Sequence, residues 1–154
     1  MEEKEGAYNY NDGGRSQAGF KGDAGDCLVR AIAIATDTPY QKIYDLVNSY
    51  GKKERPKKSW RNIKRKSSAR TGVYKDTARK IFADLGWVWV PTMTIGSGCK
   101  VHLKAEELPS GKIVCNVSKH YTAVVDGIIN DTFDCSRGGE RCVYGYWKSA
   151  DRCW

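Results

Sequence analysis

Cys27 stands where a glycine- and aspartate-rich loop, Gly22-Asp23-Ala24-Gly25-Asp26, runs into Leu28 to Ala35, a stretch in which only Arg30 is charged. That apolar content predicts a short helix buried on nearly all sides. A thiol on the first turn of such a helix faces backbone N–H groups without intrahelical acceptors and the positive end of the helix dipole. Both favour the thiolate, which is the nucleophilic form. The same N–H groups suit the oxyanion that forms when a carbonyl is attacked. The plainer alternative is a small buried hydrophobe that happens to begin a helix. Asp26 works against the thiolate unless it caps the helix, and Asp23 would add to that effect if it faced the thiol.

A nucleophilic thiol needs a base, and the chain has only two histidines, His102 and His120. His120 opens His120-Tyr121-Thr122-Ala123-Val124-Val125, followed by Asp126-Gly127 and the apolar-rich run Ile128 to Phe133. This pattern predicts a hairpin with a two-residue turn. Val125 then pairs with Ile128, Thr122 with Asp131, and His120 with Phe133. Because side chains alternate between faces, His120, Thr122 and Asp131 share one face and Asp134 takes the other. Asp131 is therefore the carboxylate expected to orient His120, and a one-residue change in the turn would transfer that role to Asp134. Taken singly, His120 also reads as an ordinary strand histidine and Asp131 as a polar residue near a turn. Cys27, His120 and Asp131 together supply a nucleophile, a base and its orienting carboxylate.

This order resembles the papain-like cysteine peptidase superfamily. Gly25-Asp26-Cys27-Leu28-Val29-Arg30-Ala31-Ile32 resembles the nucleophile motif of ovarian-tumour-type deubiquitinases, and His120-Tyr121-Thr122-Ala123-Val124 resembles their histidine strand. The layout is similar to small papain-fold proteins of tailed phages and bacteria. The likeness covers Gly14 to Leu46 and Leu108 to Trp147. It departs at Ala24, at Val29 where an aromatic residue is usual, and at Lys21 where papain-type enzymes often carry an oxyanion-donating glutamine; Gln17 lies further upstream. The resemblance implies a papain-like fold and a thiol hydrolase acting on peptide or isopeptide bonds. Deubiquitination does not follow from it.

The net charge of +8 is concentrated in one place. Lys52 to Arg70 carries ten lysines and arginines against Glu54, a local +9 that leaves the rest of the chain at −1. Lys57, Lys58, Trp60, Arg61, Lys64, Arg65 and Lys66 are its candidate contacts with nucleic acid or an acidic protein, the cations on phosphates and Trp60 on a base. A solvated charged face is the simpler reading. Trp60 and Ile63, three apart, suggest a helical piece within it.

At 154 residues the chain suits one domain with a real core, residues 1–154 with a basic insertion at about 52–70. No apolar run approaches the roughly 18 residues of a membrane span, and Met1 to Glu5 lacks a signal-peptide core, so the expected compartment is the cytoplasm. Six reduced cysteines fit that compartment. Cys99 and His102, with Cys135, Cys142 or Cys153, offer zinc-type donors, but no second closely spaced pair completes a site; no metal or cofactor is expected. Cys115 reads as core.

The remaining elements must bring Cys27 to His120. A second helix is expected from Thr38 as N-cap and Pro39 to Gly51, burying Tyr40, Ile43, Tyr44, Val47 and Tyr50. A third runs from near Asp76 to Gly86, and Trp87 to Ile95 reads as a β segment interrupted by Pro91, which argues for an edge strand or a bend. Strands at Lys112–Ser118, His120–Asp126, Ile128–Phe133 and Cys142–Trp147 complete an α+β fold with helix one packed on a mainly antiparallel sheet. Tyr8, Tyr10 and Phe20 are the residues able to pin the polar lead-in. The chemistry admits three roles: a thiol hydrolase or acyl transferase, a nucleic-acid-binding protein, or a catalytically inactive papain-fold adaptor or inhibitor.

Overall fold

The computed structural model describes residues 8–22, 25–55, 57–58, 64–94 and 96–150. Three helices, α1 (Cys27–Thr36), α2 (Tyr40–Lys52) and α3 (Lys75–Asp84), precede most of the sheet. The strands are β1 (Tyr8–Tyr10), β2 (Lys57–Lys58), β3 (Lys64–Arg65), β4 (Trp87–Pro91), β5 (Lys112–Val117), β6 (His120–Val125), β7 (Ile128–Asp131) and β8 (Gly145–Ser149). Six of them form one sheet in the order β1-β7-β6-β5-β8-β4, antiparallel except for the β1–β7 pair. The fold is thus α+β, as the pattern of elements predicts. Among the described residues no helix is long and apolar enough to cross a membrane.

The sheet separates two apolar clusters. On one side Val29, Ile32 and Ala33 of α1, Ile43 and Val47 of α2, and Ile81 and Phe82 of α3 pack with Val114, Ala123 and Trp147 of the sheet. Phe82 stacks on Trp147 at 4.5 Å between ring centroids. On the other side Ile113, Cys115, Val117, Val124 and Ile129 are covered by Leu103, Cys135 and Val143 from the long loops. Cys115 is fully buried, and burial raises its thiol pKa. Burial of α1 fits its all-round apolar sequence: only its Arg30, Ile34, Thr36 and Cys27 retain partial exposure.

Several expectations need correction. Helix α2 starts at Tyr40, with Pro39 rather than Thr38 at the N-cap position, and it continues through Gly51 to Lys52. Gly51 does not stop the helix because its service is steric: a Cβ there would lie 2.1 Å from the Ser67 carbonyl oxygen. Gly51→Ala must push that backbone away and is expected to cost about 1–3 kcal/mol, read as a lowered midpoint in urea unfolding. An unchanged midpoint would mean that the Ser67 backbone yields freely.

Within the basic segment Lys52 ends α2, and Lys57–Lys58 pairs antiparallel with Lys64–Arg65 as a short two-stranded ribbon. Trp60, Arg61 and Ile63 lie outside the described residues. The lead-in is partly a strand: Tyr8, Asn9 and Tyr10 pair with Ile129, Asn130 and Asp131. Phe20 packs on Tyr40 and Tyr44, whereas Tyr10 is exposed. The cysteines are not all reduced, because Cys99 and Cys142 form a disulfide across 43 residues. That bond takes two of the zinc-type donors, and His102 Nδ1 sits 3.1 Å from Glu107.

Candidate active site

The hairpin forms as its sequence dictates. Val125 pairs with Ile128 and Ala123 with Asn130. Asp126 and Gly127 both have positive φ, 51° and 83°, the conformation a two-residue type I′ turn requires. The register therefore carries His120 over Phe133, with ring centroids 5.5 Å apart, and Thr122 opposite Asp131. His120 Nε2 lies 2.7 Å from Asp131 Oδ2, and Thr122 Oγ1 donates to the same oxygen at 2.8 Å. Asp134 is exposed and accepts from Ser136 N–H and Oγ instead.

Cys27 begins α1, and its thiol lines the same cleft as the His120 ring and Tyr121, close enough for the ring and the Tyr121 N–H to lower its pKa. With Nε2 committed to Asp131, Nδ1 is the ring nitrogen left for Cys27. Thus Cys27, His120 and Asp131 form one chain of contacts drawn from α1, β6 and β7. Burial raises the Cys27 thiol pKa, but the hydrogen bond and charge of His120, the Tyr121 N–H and Arg30 outweigh it, and the net shift is downward. Burial lowers His120, yet its bonds to Asp131, Cys135 and Cys27 hold it far above the ordinary imidazole, at about 11. Burial also raises Asp131, against which the bond and charge of His120, Thr122 Oγ1 and the Thr132 N–H bring it below the usual carboxylate range. These shifts favour a thiolate beside an imidazolium, with an ionised Asp131 behind it, over the neutral thiol–imidazole pair.

Asp26, the carboxylate that threatened the thiolate, is engaged elsewhere. It is buried and leaves the helix end uncapped by its side chain. Its oxygens meet Arg15 Nε at 3.1 Å, the Arg30 guanidinium and the Tyr40 hydroxyl at 2.5 Å. Arg30 reaches on to Asp131 Oδ1 at 3.5 Å. One cation thus bridges Asp26, the residue before Cys27, and Asp131, cancelling charge that would otherwise disfavour a thiolate at Cys27. The uncapped first turn keeps its N–H groups for an oxyanion.

No protein-family model, curated protein or solved structure matches this chain.

An open cleft of about 340 Å³ exposes the pair, lined by Gly25, Cys27 and Leu28 on one side and Asn116, His120 and Tyr121 on the other. Thr71, Gly72 and Val73 close its third wall, and the Gly25 N–H bonded to Arg70 O at 2.6 Å fastens that wall to the nucleophile loop. A larger cavity of about 1080 Å³ lies elsewhere, beside Tyr8, Pro39 and Asp126, and touches none of the three residues. Gln17 lines that cavity, so it is not positioned as an oxyanion donor here.

Sequence reasoning put Thr122 on the site face without its bond to Asp131, and missed the parts played by Cys135 and Arg30. Cys135 Sγ lies 3.6 Å from Asp131 Oδ2. The Arg141 guanidinium, bonded to Cys135 O and Ser118 O, ties its loop to the turn before His120. Donor atoms of His120, Asp131 and Cys135 all fall within 4.8 Å of one another. Two atoms bound to one tetrahedral zinc at ~2.0–2.1 Å sit about 3.3 Å apart. The 2.7 Å His120–Asp131 contact is instead a hydrogen bond, and this arrangement would have to open to admit a metal.

Proposed function

We propose that the protein is a cysteine-dependent hydrolase or acyl transferase that acts on amide bonds through Cys27, His120 and Asp131. The observation that carries this reading is a thiol at a helix N-terminus that shares an open cleft with a histidine, the histidine's Nε2 being held by a buried carboxylate. The Cys27 thiolate attacks the scissile carbonyl carbon, and the π pair moves onto oxygen. The Cys27 N–H and its first-turn neighbours hold that oxyanion. The imidazolium of His120 gives its proton to the leaving nitrogen, the C–N bond breaks and a thioester remains. Water, deprotonated by His120, then attacks the thioester and the C–S bond breaks, restoring the thiolate. An amine in place of water gives acyl transfer. Asp131 keeps the ring turned toward Cys27 and stabilises its charged form. Peptide or isopeptide bonds are the substrates that the papain-like resemblance supports.

The reading makes Cys27 the one hyper-reactive thiol. Substoichiometric iodoacetamide followed by peptide mapping should place the label on Cys27 ahead of buried Cys115 and Cys135. Label spread evenly over the free cysteines would count against a catalytic site.

A further inference from the structure

The cleft beside Cys27 and His120 has an uneven charge. Its lining includes Lys75, the first residue of α3, and Lys119, in the turn just before His120, and among the described residues contains no carboxylate. Both lysines are exposed, and neither has an ion-pair partner among the described residues. The adjoining recess adds Arg79 beside Lys75, Asn116 and Tyr121. The two acids nearest the chemistry do not offset these cations, since Asp26 and Asp131 are buried and committed to Arg15, Arg30 and His120. The thiolate and the imidazolium cancel one another. What a substrate meets on entering is therefore positive. Its third wall, Thr71 to Val73, continues directly from the +9 segment Lys52 to Arg70. A cleft with one sign of charge and low-dielectric walls concentrates ligands of the opposite sign.

We propose that the substrate is an acidic polypeptide, with aspartate or glutamate side chains close to the scissile bond meeting Lys75 and Lys119. The proposal rests on the hydrolase reading above, and it commits to a peptide because the nucleophile in that cleft attacks carbonyl carbon. Charge complementarity at a cleft rim sets encounter rate and discrimination, so the preference belongs in kcat/KM and weakens with salt.

The test uses the full chain and the Lys75→Glu/Lys119→Glu double variant. A mixed-sequence peptide library digested by the wild type and mapped by mass spectrometry should be cut where Asp or Glu lies within about three residues of the break. The double variant should lose this bias by roughly tenfold or turn it toward Lys and Arg. A second readout is independent of turnover: the ratio of iodoacetate to iodoacetamide alkylation rates at Cys27. That ratio should exceed the value for a free cysteine peptide and fall several-fold in the double variant. Cleavage without acidic bias, or an alkylation ratio indifferent to both lysines, overturns the proposal. If no peptide is cut yet the ratio responds, the hydrolase reading fails while the cleft's selection for anions stands. Protection of Cys27 by RNA or DNA oligonucleotides but not by poly-glutamate would overturn the acidic polypeptide in favour of nucleic acid.

Discussion

Asp131→Ala is expected to reduce the proposed amide hydrolysis by about 10²–10⁴-fold, whereas Asp134→Ala leaves it near the wild-type rate. The first substitution removes the carboxylate that accepts from His120 Nε2 and Thr122 Oγ1, so the ring loses both its orientation and the charge that stabilises the imidazolium. It also strips Arg30 of one of its two carboxylates. The second removes an exposed group whose contacts are confined to Ser136, a local loss of about 0.5–1.5 kcal/mol or less in stability. Steady-state turnover of the two variants compares them directly. Activity that survives Asp131→Ala but not Asp134→Ala would mean that the working hairpin register differs from the one described.

Asp26→Ala should have the largest effect on stability. Its carboxylate is 1% exposed and serves Arg15, Arg30 and Tyr40 at once. Removing one partner of a buried ion pair typically costs about 3–5 kcal/mol, because the cations left behind are unpaired in a poorly solvated place. Arg15 and Arg30 are 17% and 12% exposed, so water relieves little of this. For a chain of this size such a loss lowers Tm by roughly 6–20 °C, measurable by thermal unfolding monitored by circular dichroism. A Tm within about 2 °C of wild type would show that the guanidinium groups find other partners and that Asp26 is not the organising acid.

Which parts of this arrangement were readable beforehand follows from the range of the interactions. Helix α1 and the β6–β7 hairpin are local patterns, one an apolar run after a glycine-rich loop and the other alternation around Asp-Gly. The turn fixed parity, and parity chose Asp131 over Asp134. The edge position of β4 was also visible, because Pro91 removes a ladder donor. Gly51 misled because a glycine after an apolar helical face is a local stop signal, and only the approach of Ser67 reveals its other purpose. Strand β1 has too few residues for periodicity and exists by pairing with β7, about 120 positions away. Arg30 and Cys135 join the site through contacts with Asp131 that no spacing rule encodes. The Cys99–Cys142 bond belongs to the same class, since connectivity does not follow from cysteine count.

The central claim is that His120 holds a proton beside Cys27 and thereby favours its thiolate. Its most direct test is the pH dependence of Cys27 alkylation by iodoacetamide in the wild type and in His120→Ala. A lowered thiol pKa means that the reactive form is present above that pKa and lost as pH falls through it. The inflection of the wild-type rate should therefore fall below about 8.5, the ordinary thiol value, with a plateau above it that lasts while His120 keeps its proton, up to about pH 11. In His120→Ala the favourable partner is gone and burial remains, so the inflection should move up to the ordinary thiol range or beyond. A wild-type rate that keeps climbing through pH 8–9 on the same curve as His120→Ala would contradict the account.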